Sequence, residues 1–166
     1  GLGDVYKRQA PMIDDIRKFF ADKLNPPEDA SEDEHRLRIQ YATAALLIEV
    51  AKSDFDQDEM ERGLIFAMLK DTFELRENQL NELVSLADNA TQDAHDIYQF
   101  TQLVNDAYSY EDKTQLITNL WRVAFADGRI DRYEDHFIRK VCGLLHVAHP
   151  DFIKAKLTAE QMDAEA

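Results

Sequence analysis

The chain has 166 residues, of which 45% are hydrophobic and 31% are charged, and these proportions are typical of one globular domain with a buried core. Its formal net charge of −14 gives a surface that repels phosphate backbones, so we expect no nucleic-acid partner. No apolar run approaches the roughly 20 residues of a membrane-spanning helix, and the single cysteine, Cys142, excludes an internal disulfide. We therefore expect a cytoplasmic protein that does not insert directly into a membrane.

The first predicted helix lies near the amino terminus. Residues 1–11 match no helical pattern, and we expect them to be a non-native or disordered extension before the folded domain. From Met12 onward, apolar residues at helical spacing predict a short amphipathic helix. Residues 25–29, which include two prolines, predict a linker after it. The apolar face of this helix consists of Ile13, Ile16, Phe19, Phe20 and Leu24.

Helical spacing of apolar residues continues through the rest of the chain. The capping-box sequence Ser31–Glu34 predicts the start of a second helix, which runs to about Ser53. A third helix is predicted to start near Asp58, and more follow, the last being a short helix that begins at Pro150. The predicted fold class is all-α, a compact bundle of about seven to eight short helices. This domain occupies residues 12–158, and the polar tail at 159–166 is expected to fray.

An acidic motif occurs twice in this chain, and the second copy repeats the register of the first. Residues Ala51–Glu61 and Ala124–Glu134 both read A-x-x-D-x-x-x-D-x-x-E. Each copy lies between two apolar helical runs, so the repetition predicts duplicated helical hairpins, residues 35–73 and 111–146, with pseudo-two-fold symmetry. The motif carboxylates are Asp54, Asp58 and Glu61 in the first copy and Asp127, Asp131 and Glu134 in the second.

The motif spacing allows two roles for these carboxylates, and the sequence leaves both open. If the second Asp of each motif is a helix N-cap, the Glu is the third residue of that helix, and the arrangement stabilises it by about 1 kcal/mol. Capping does not explain the leading Asp54 and Asp127, because the dipole of the preceding helix disfavours carboxylates there. These two residues could order the turn, or they could join the others around calcium or magnesium. An EF-hand is excluded, since Glu59 replaces its glycine and Ile65 its glutamate.

Other groups that could carry chemistry are weaker candidates. His146 and His149 have the spacing of a metal-binding pair, but Pro150 predicts that the helix ends there. Cys142 has no identifiable partner or cleft that would make it a nucleophile. Paired carboxylates can act as acid and base, but no glycine-rich phosphate loop or serine-hydrolase motif accompanies them. We therefore expect a protein that is not an enzyme.

The string A-x-x-D-G-x-I-D-x-x-E at Ala124–Glu134, with its degenerate copy at Ala51–Glu61, resembles the tellurite-resistance TerB family over roughly residues 35–148. The resemblance implies a compact bundle of about seven helices with internal pseudo-two-fold symmetry. It also implies a bacterial stress-response protein that works by binding or scaffolding and whose acidic residues hold metal ions. By position, these residues are Asp54, Asp58, Glu61, Asp127, Asp131 and Glu134.

The expected function is therefore non-enzymatic binding or scaffolding in a stress response, with an unidentified protein partner. A divalent cation, calcium or magnesium, is the expected ligand of the two acidic turns, and no other cofactor is expected. The alternative is a purely structural protein–protein interaction module whose carboxylates only cap helices.

Overall fold

The computed structural model describes residues 32–51, 59–90, 97–126 and 130–165. At residue 86 and residues 88–90, it describes the backbone alone. These residues form seven α-helices and no strand, which confirms the predicted all-α bundle. The extension, first helix and linker predicted within residues 1–31 lie outside the described residues. The helices are α1 (Glu32–Ala51), α2 (Glu59–Phe73), α3 (Glu77–Ala90), α4 (Ile97–Ala107), α5 (Tyr110–Phe125), α6 (Arg132–Leu144) and α7 (His149–Glu165).

Helix α1 lies at the centre of the bundle. From Gln40 to Ala51 it is buried at every position except Glu49, and it packs against α2, α3, α4, α5 and α6. A helix that is covered on all sides has no polar face, which is why small and apolar residues fill most of this stretch. Burial of each large side chain here, such as Leu46 or Leu47, contributes about 1.5–3 kcal/mol.

Helix α5 is the second strongly buried helix, and it packs mainly against α7 and α1. Ser109 caps its first turn, because the Ser109 hydroxyl accepts from the backbone N–H of Asp112 at 3.1 Å. Near the other end, Trp121 is fully buried, and its ring centroid lies 5.7 Å from that of Phe152 on α7. The aromatic contact anchors the last helix of the chain to the core.

Helix α7 is longer than the sequence predicted. A short helix was expected after Pro150, with a polar tail from residue 159, whereas α7 continues to Glu165. Ala155 and Ala159 are both buried, and α7 packs closely on α5. Small side chains at the correct helical spacing carry little sequence signal, which explains the underestimate. Fraying of the last residues in solution stays a prediction.

The helices that follow the two acidic motifs, α2 and α6, share two structural features at nearly matching positions. Ile65 on α2 and Ile138 on α6 are both fully buried at matching positions. Within the described residues, the non-glycine residues with left-handed backbone are Glu74 and His146, with φ of 53° and 58°, and they follow α2 and α6 respectively. Such a conformation costs about 1–2 kcal/mol. The recurrence agrees with the predicted duplication, which itself stays a prediction.

Candidate functional site

The second acidic turn ends in a complete capping box at the start of α6. Asp131 is the N-cap, with φ of −88° and ψ of 173°, and its Oδ1 accepts from the backbone N–H of Glu134 at 2.8 Å. In return, the backbone N–H of Asp131 donates to Glu134 Oε1 at 3.2 Å. This geometry confirms the capping role predicted for both residues and is worth about 1 kcal/mol. Asp127, which leads this motif, lies outside the described residues.

The first acidic turn is described only from the start of α2 onward. Glu61 is the third residue of α2, just as Glu134 is the third residue of α6. Both side chains are buried, with exposed fractions of 3% and 6%. Burying a carboxylate is costly unless hydrogen bonds or positive charge compensate, and capping alone does not require it. Asp54 and Asp58 lie outside the described residues, so the N-cap role of Asp58 stays a prediction.

A hydrogen bond joins the helices that flank the two acidic turns. Tyr133, in the first turn of α6, donates its hydroxyl to Glu49 Oε1 on α1, close to the point where α1 ends at Ala51. Burial, the bond to Glu49 and the negative charges of Glu49 and Asp131 together raise the pKa of Tyr133 above its ordinary value. The end of the helix before the first motif therefore lies beside the start of the helix after the second. Sequence reasoning missed Glu49, because a repeated motif carries no information about contacts between helices.

Part of each acidic turn lies within the residues that the structure describes. Within the four described ranges, no three His, Cys, Asp or Glu side chains come together in an arrangement that would hold a metal ion. The predicted ligands Asp54, Asp58 and Asp127 all lie outside these ranges, so a cation at either turn stays a prediction. Asp131 is exposed and uses only Oδ1 in the cap, so its second carboxylate oxygen can reach a ligand.

The cysteine and the histidine pair fit structural roles. Cys142 on α6 is 5% exposed, and its Sγ donates to the carbonyl oxygen of Val147 at 3.6 Å. Burial, with a smaller effect from the negative charge of Asp151, raises the pKa of Cys142 to about 11, so the thiol stays protonated at neutral pH. His146 lies beyond the end of α6, and His149 begins α7, so the two imidazoles do not share one helix.

Comparison with known proteins gives one family assignment. No curated protein and no solved structure matches the chain. No helix in the described ranges is both long enough and apolar enough to cross a membrane. The family model described as Tellurite resistance protein TerB matches residues 40–157, a stretch that contains both acidic motifs and helices α2 to α6. This match extends over more than half of the sequence, and the chain therefore belongs to the TerB family.

Proposed function

We propose that this chain is a non-enzymatic, cytoplasmic binding protein of a bacterial stress response of the tellurite-resistance type. Its acidic turns bind a divalent cation, calcium or magnesium, and the bundle acts as a scaffold for a protein partner. Family membership supports the biological setting, and the carboxylate-rich turns support a hard cation as ligand. The proposed ligands are Asp54, Asp58, Glu61, Asp127, Asp131 and Glu134.

The burial of two glutamates at the same helix position carries this proposal. Glu61 and Glu134 are each the third residue of a helix that follows an acidic turn, and both are almost fully covered. An exposed glutamate would complete a capping box equally well, so the burial indicates a further requirement at this position. A cation would stabilise both buried carboxylates and would give Asp54 and Asp127 the role that capping leaves unexplained.

Two measurements on the intact chain test for cation binding. The first is calorimetric titration with calcium chloride and with magnesium chloride, and the second is thermal unfolding in each ion and in a chelator. At a free cation concentration of a hundred times its Kd, binding should add about 2.7 kcal/mol to the free energy of unfolding. Asp54→Asn and Asp127→Asn should each remove binding at one turn while the chain stays folded. Glu111→Gln is a matched control, because Glu111 is an exposed carboxylate in the first turn of α5 and outside both motifs.

An unchanged unfolding temperature of the wild-type chain in chelator, calcium and magnesium would contradict the cation site. So would equal loss of binding in Glu111→Gln and in the two motif variants, because the effect would then follow net charge alone.

A purely structural interaction module is the second candidate, and the completed capping box favours it. Asp131 and Glu134 satisfy each other's backbone N–H groups, which stabilises α6 without any ion. If the motif carboxylates act only in this way, Asp54→Asn and Asp127→Asn should change the free energy of unfolding by the same amount in chelator and in cation.

A further inference from the structure

A cavity of about 420 Å³ opens on the surface of the bundle between α1, α2, α4 and α5. Its lining includes the carboxyl-terminal ends of α2 and α4 and residues 112–119 of α5. Small-molecule sites in proteins usually have volumes of about 300–1,000 Å³, so this cavity is large enough for one. None of its lining residues belongs to either acidic motif, and the cavity is therefore separate from the acidic turns.

One wall of this cavity is apolar. Leu47 on α1 and Leu116 on α5 form part of it and are almost fully buried. Ile39 and Phe73 also line the cavity and are half-buried. A ligand that covers these side chains removes apolar surface from water, which favours binding by about 25 cal/mol for each Å². The wall therefore suits a ligand with an apolar ring or chain.

The hydroxyl groups at this cavity have already donated their protons. Thr43 donates its hydroxyl to the carbonyl oxygen of Ile39 at 2.9 Å. Because a hydroxyl has one proton, the 2.6 Å bond between Thr43 and Tyr108 must use the proton of Tyr108. Thr72 donates to the carbonyl oxygen of Met68 at 2.7 Å. The oxygens of Tyr108 and Thr72 can therefore serve a ligand only as acceptors.

Asp112 adds a negative charge to these acceptors. Within the described ranges, its carboxylate forms no hydrogen bond and no salt bridge. Burial raises the pKa of Tyr108, and the negative charge of Asp112 raises it further, because this carboxylate lies near the Tyr108 hydroxyl. Gln115 donates to Asn119 Oδ1 at 3.1 Å, so these two amides partly satisfy each other. None of the described residues that line the cavity is positively charged, and a cationic donor is thus the complementary ligand.

We propose that this cavity binds a primary organic amine in its ammonium form. The ammonium lies against Asp112 and the Tyr108 oxygen, and an apolar ring or chain lies against Leu47 and Leu116. An ammonium group has three N–H donors and no acceptor, which matches a carboxylate beside hydroxyl groups that can only accept. An anionic ligand would instead meet the like charge of Asp112, and this contact is unfavourable. This inference goes beyond the proposed function and does not depend on a metal ion at the acidic turns.

Titration of the full-length, isotope-labelled chain with phenylethylammonium chloride, followed by amide chemical shifts, tests the site. Two further probes separate its parts, since phenylacetate keeps the ring but reverses the charge, and methylammonium keeps the charge but lacks the ring. Constant salt of about 0.15 M limits the nonspecific attraction of cations to a chain with a net charge of −14. Phenylethylammonium should cause saturable shifts centred on Thr43, Tyr108 and Gln115. Phenylacetate should cause none, and methylammonium should bind at least about tenfold more weakly.

Three variants assign the binding to the named groups. Asp112→Asn should weaken the binding of phenylethylammonium about tenfold or more, because the ammonium loses the charge that it pairs with. Tyr108→Phe keeps the ring but removes the oxygen, and it should weaken the binding about two- to tenfold. Glu111→Gln is the matched control and should keep the affinity of the wild type, since Glu111 is exposed in the same turn of α5 but does not line the cavity.

Four results would overturn the proposal. Shifts that do not saturate, or that methylammonium reproduces at the same concentration, would mean nonspecific attraction to the acidic surface. Equal losses in Asp112→Asn and Glu111→Gln would have the same meaning. Binding of phenylacetate with equal affinity would show that the apolar wall acts without the acceptors. Equal affinity for butylammonium, which has the length of a lysine side chain, would assign the cavity to a lysine of a protein partner instead of a free amine.

Discussion

Replacing Asp131 by Ala should destabilise the chain clearly more than replacing it by Asn. Ala removes the oxygen that accepts from the backbone N–H of Glu134 at 2.8 Å, and loss of such an N-cap costs about 1 kcal/mol. Asn keeps the acceptor and is as good an N-cap as Asp, so its cost should be only a few tenths of a kcal/mol. For a chain of this size, the loss in Asp131→Ala corresponds to a decrease in Tm of about 2–4 °C.

Urea and thermal unfolding followed by circular dichroism in chelator measure this difference. Ser109→Ala provides a matched control, because it removes the N-cap of α5 in the same way but lies outside both acidic motifs. In calcium or magnesium, Asp131→Asn should lose part of the cation-induced stabilisation, whereas Ser109→Ala should keep all of it. Equal destabilisation by Asp131→Asn and Asp131→Ala in chelator would refute the reasoning, because the charge and not the hydrogen bond would then matter.

The remaining predictions concern the core. Trp121→Ala should cost about 3–5 kcal/mol in urea unfolding, because it empties a fully buried site, whereas Leu157→Ala, at an exposed position, should cost less than about 0.5 kcal/mol. Burial is the main cause that raises the pKa of Tyr108 to about 12, so its contribution to stability should be complete below about pH 10 and should be lost as the pH rises through 12. Tyr108→Phe should therefore show a shallower decrease in the free energy of unfolding over that interval, and an unchanged slope would contradict the assignment. Cys142 should react slowly with a thiol reagent at pH 8 in the native chain and rapidly in urea, and equal rates would show that it is accessible.

Local sequence patterns predicted the local features of this fold well. The spacing of Asp131 and Glu134 predicted a capping box, because both partners lie within one helical turn and need no other part of the molecule. The start of α2 near Asp58 was predicted on the same basis. The length of helix α7 was underestimated, since its buried Ala155 and Ala159 give a weak apolar pattern. Local patterns are thus sufficient for helix starts and insufficient where small residues form the contact.

Contacts between helices could not be predicted in the same way. Tyr133 lies within the second motif, but nothing in its neighbours indicates that its hydroxyl reaches Glu49 on α1. The central position of α1 was also not evident, because an apolar helix in isolation gives no information about which helices cover it. The candidate site depends on both kinds of information. Its caps follow from the sequence, whereas the proximity of the helices that flank the two turns follows only from packing.

The enclosure of α1 by five other helices has a consequence for how the molecule opens. Backbone amides between Gln40 and Ala51 can meet solvent only if several neighbouring helices separate together, so they should exchange with deuterium through one cooperative event. The free energy of that event equals the global free energy of unfolding. Local opening of the outer helices should therefore need less free energy than exposure of α1.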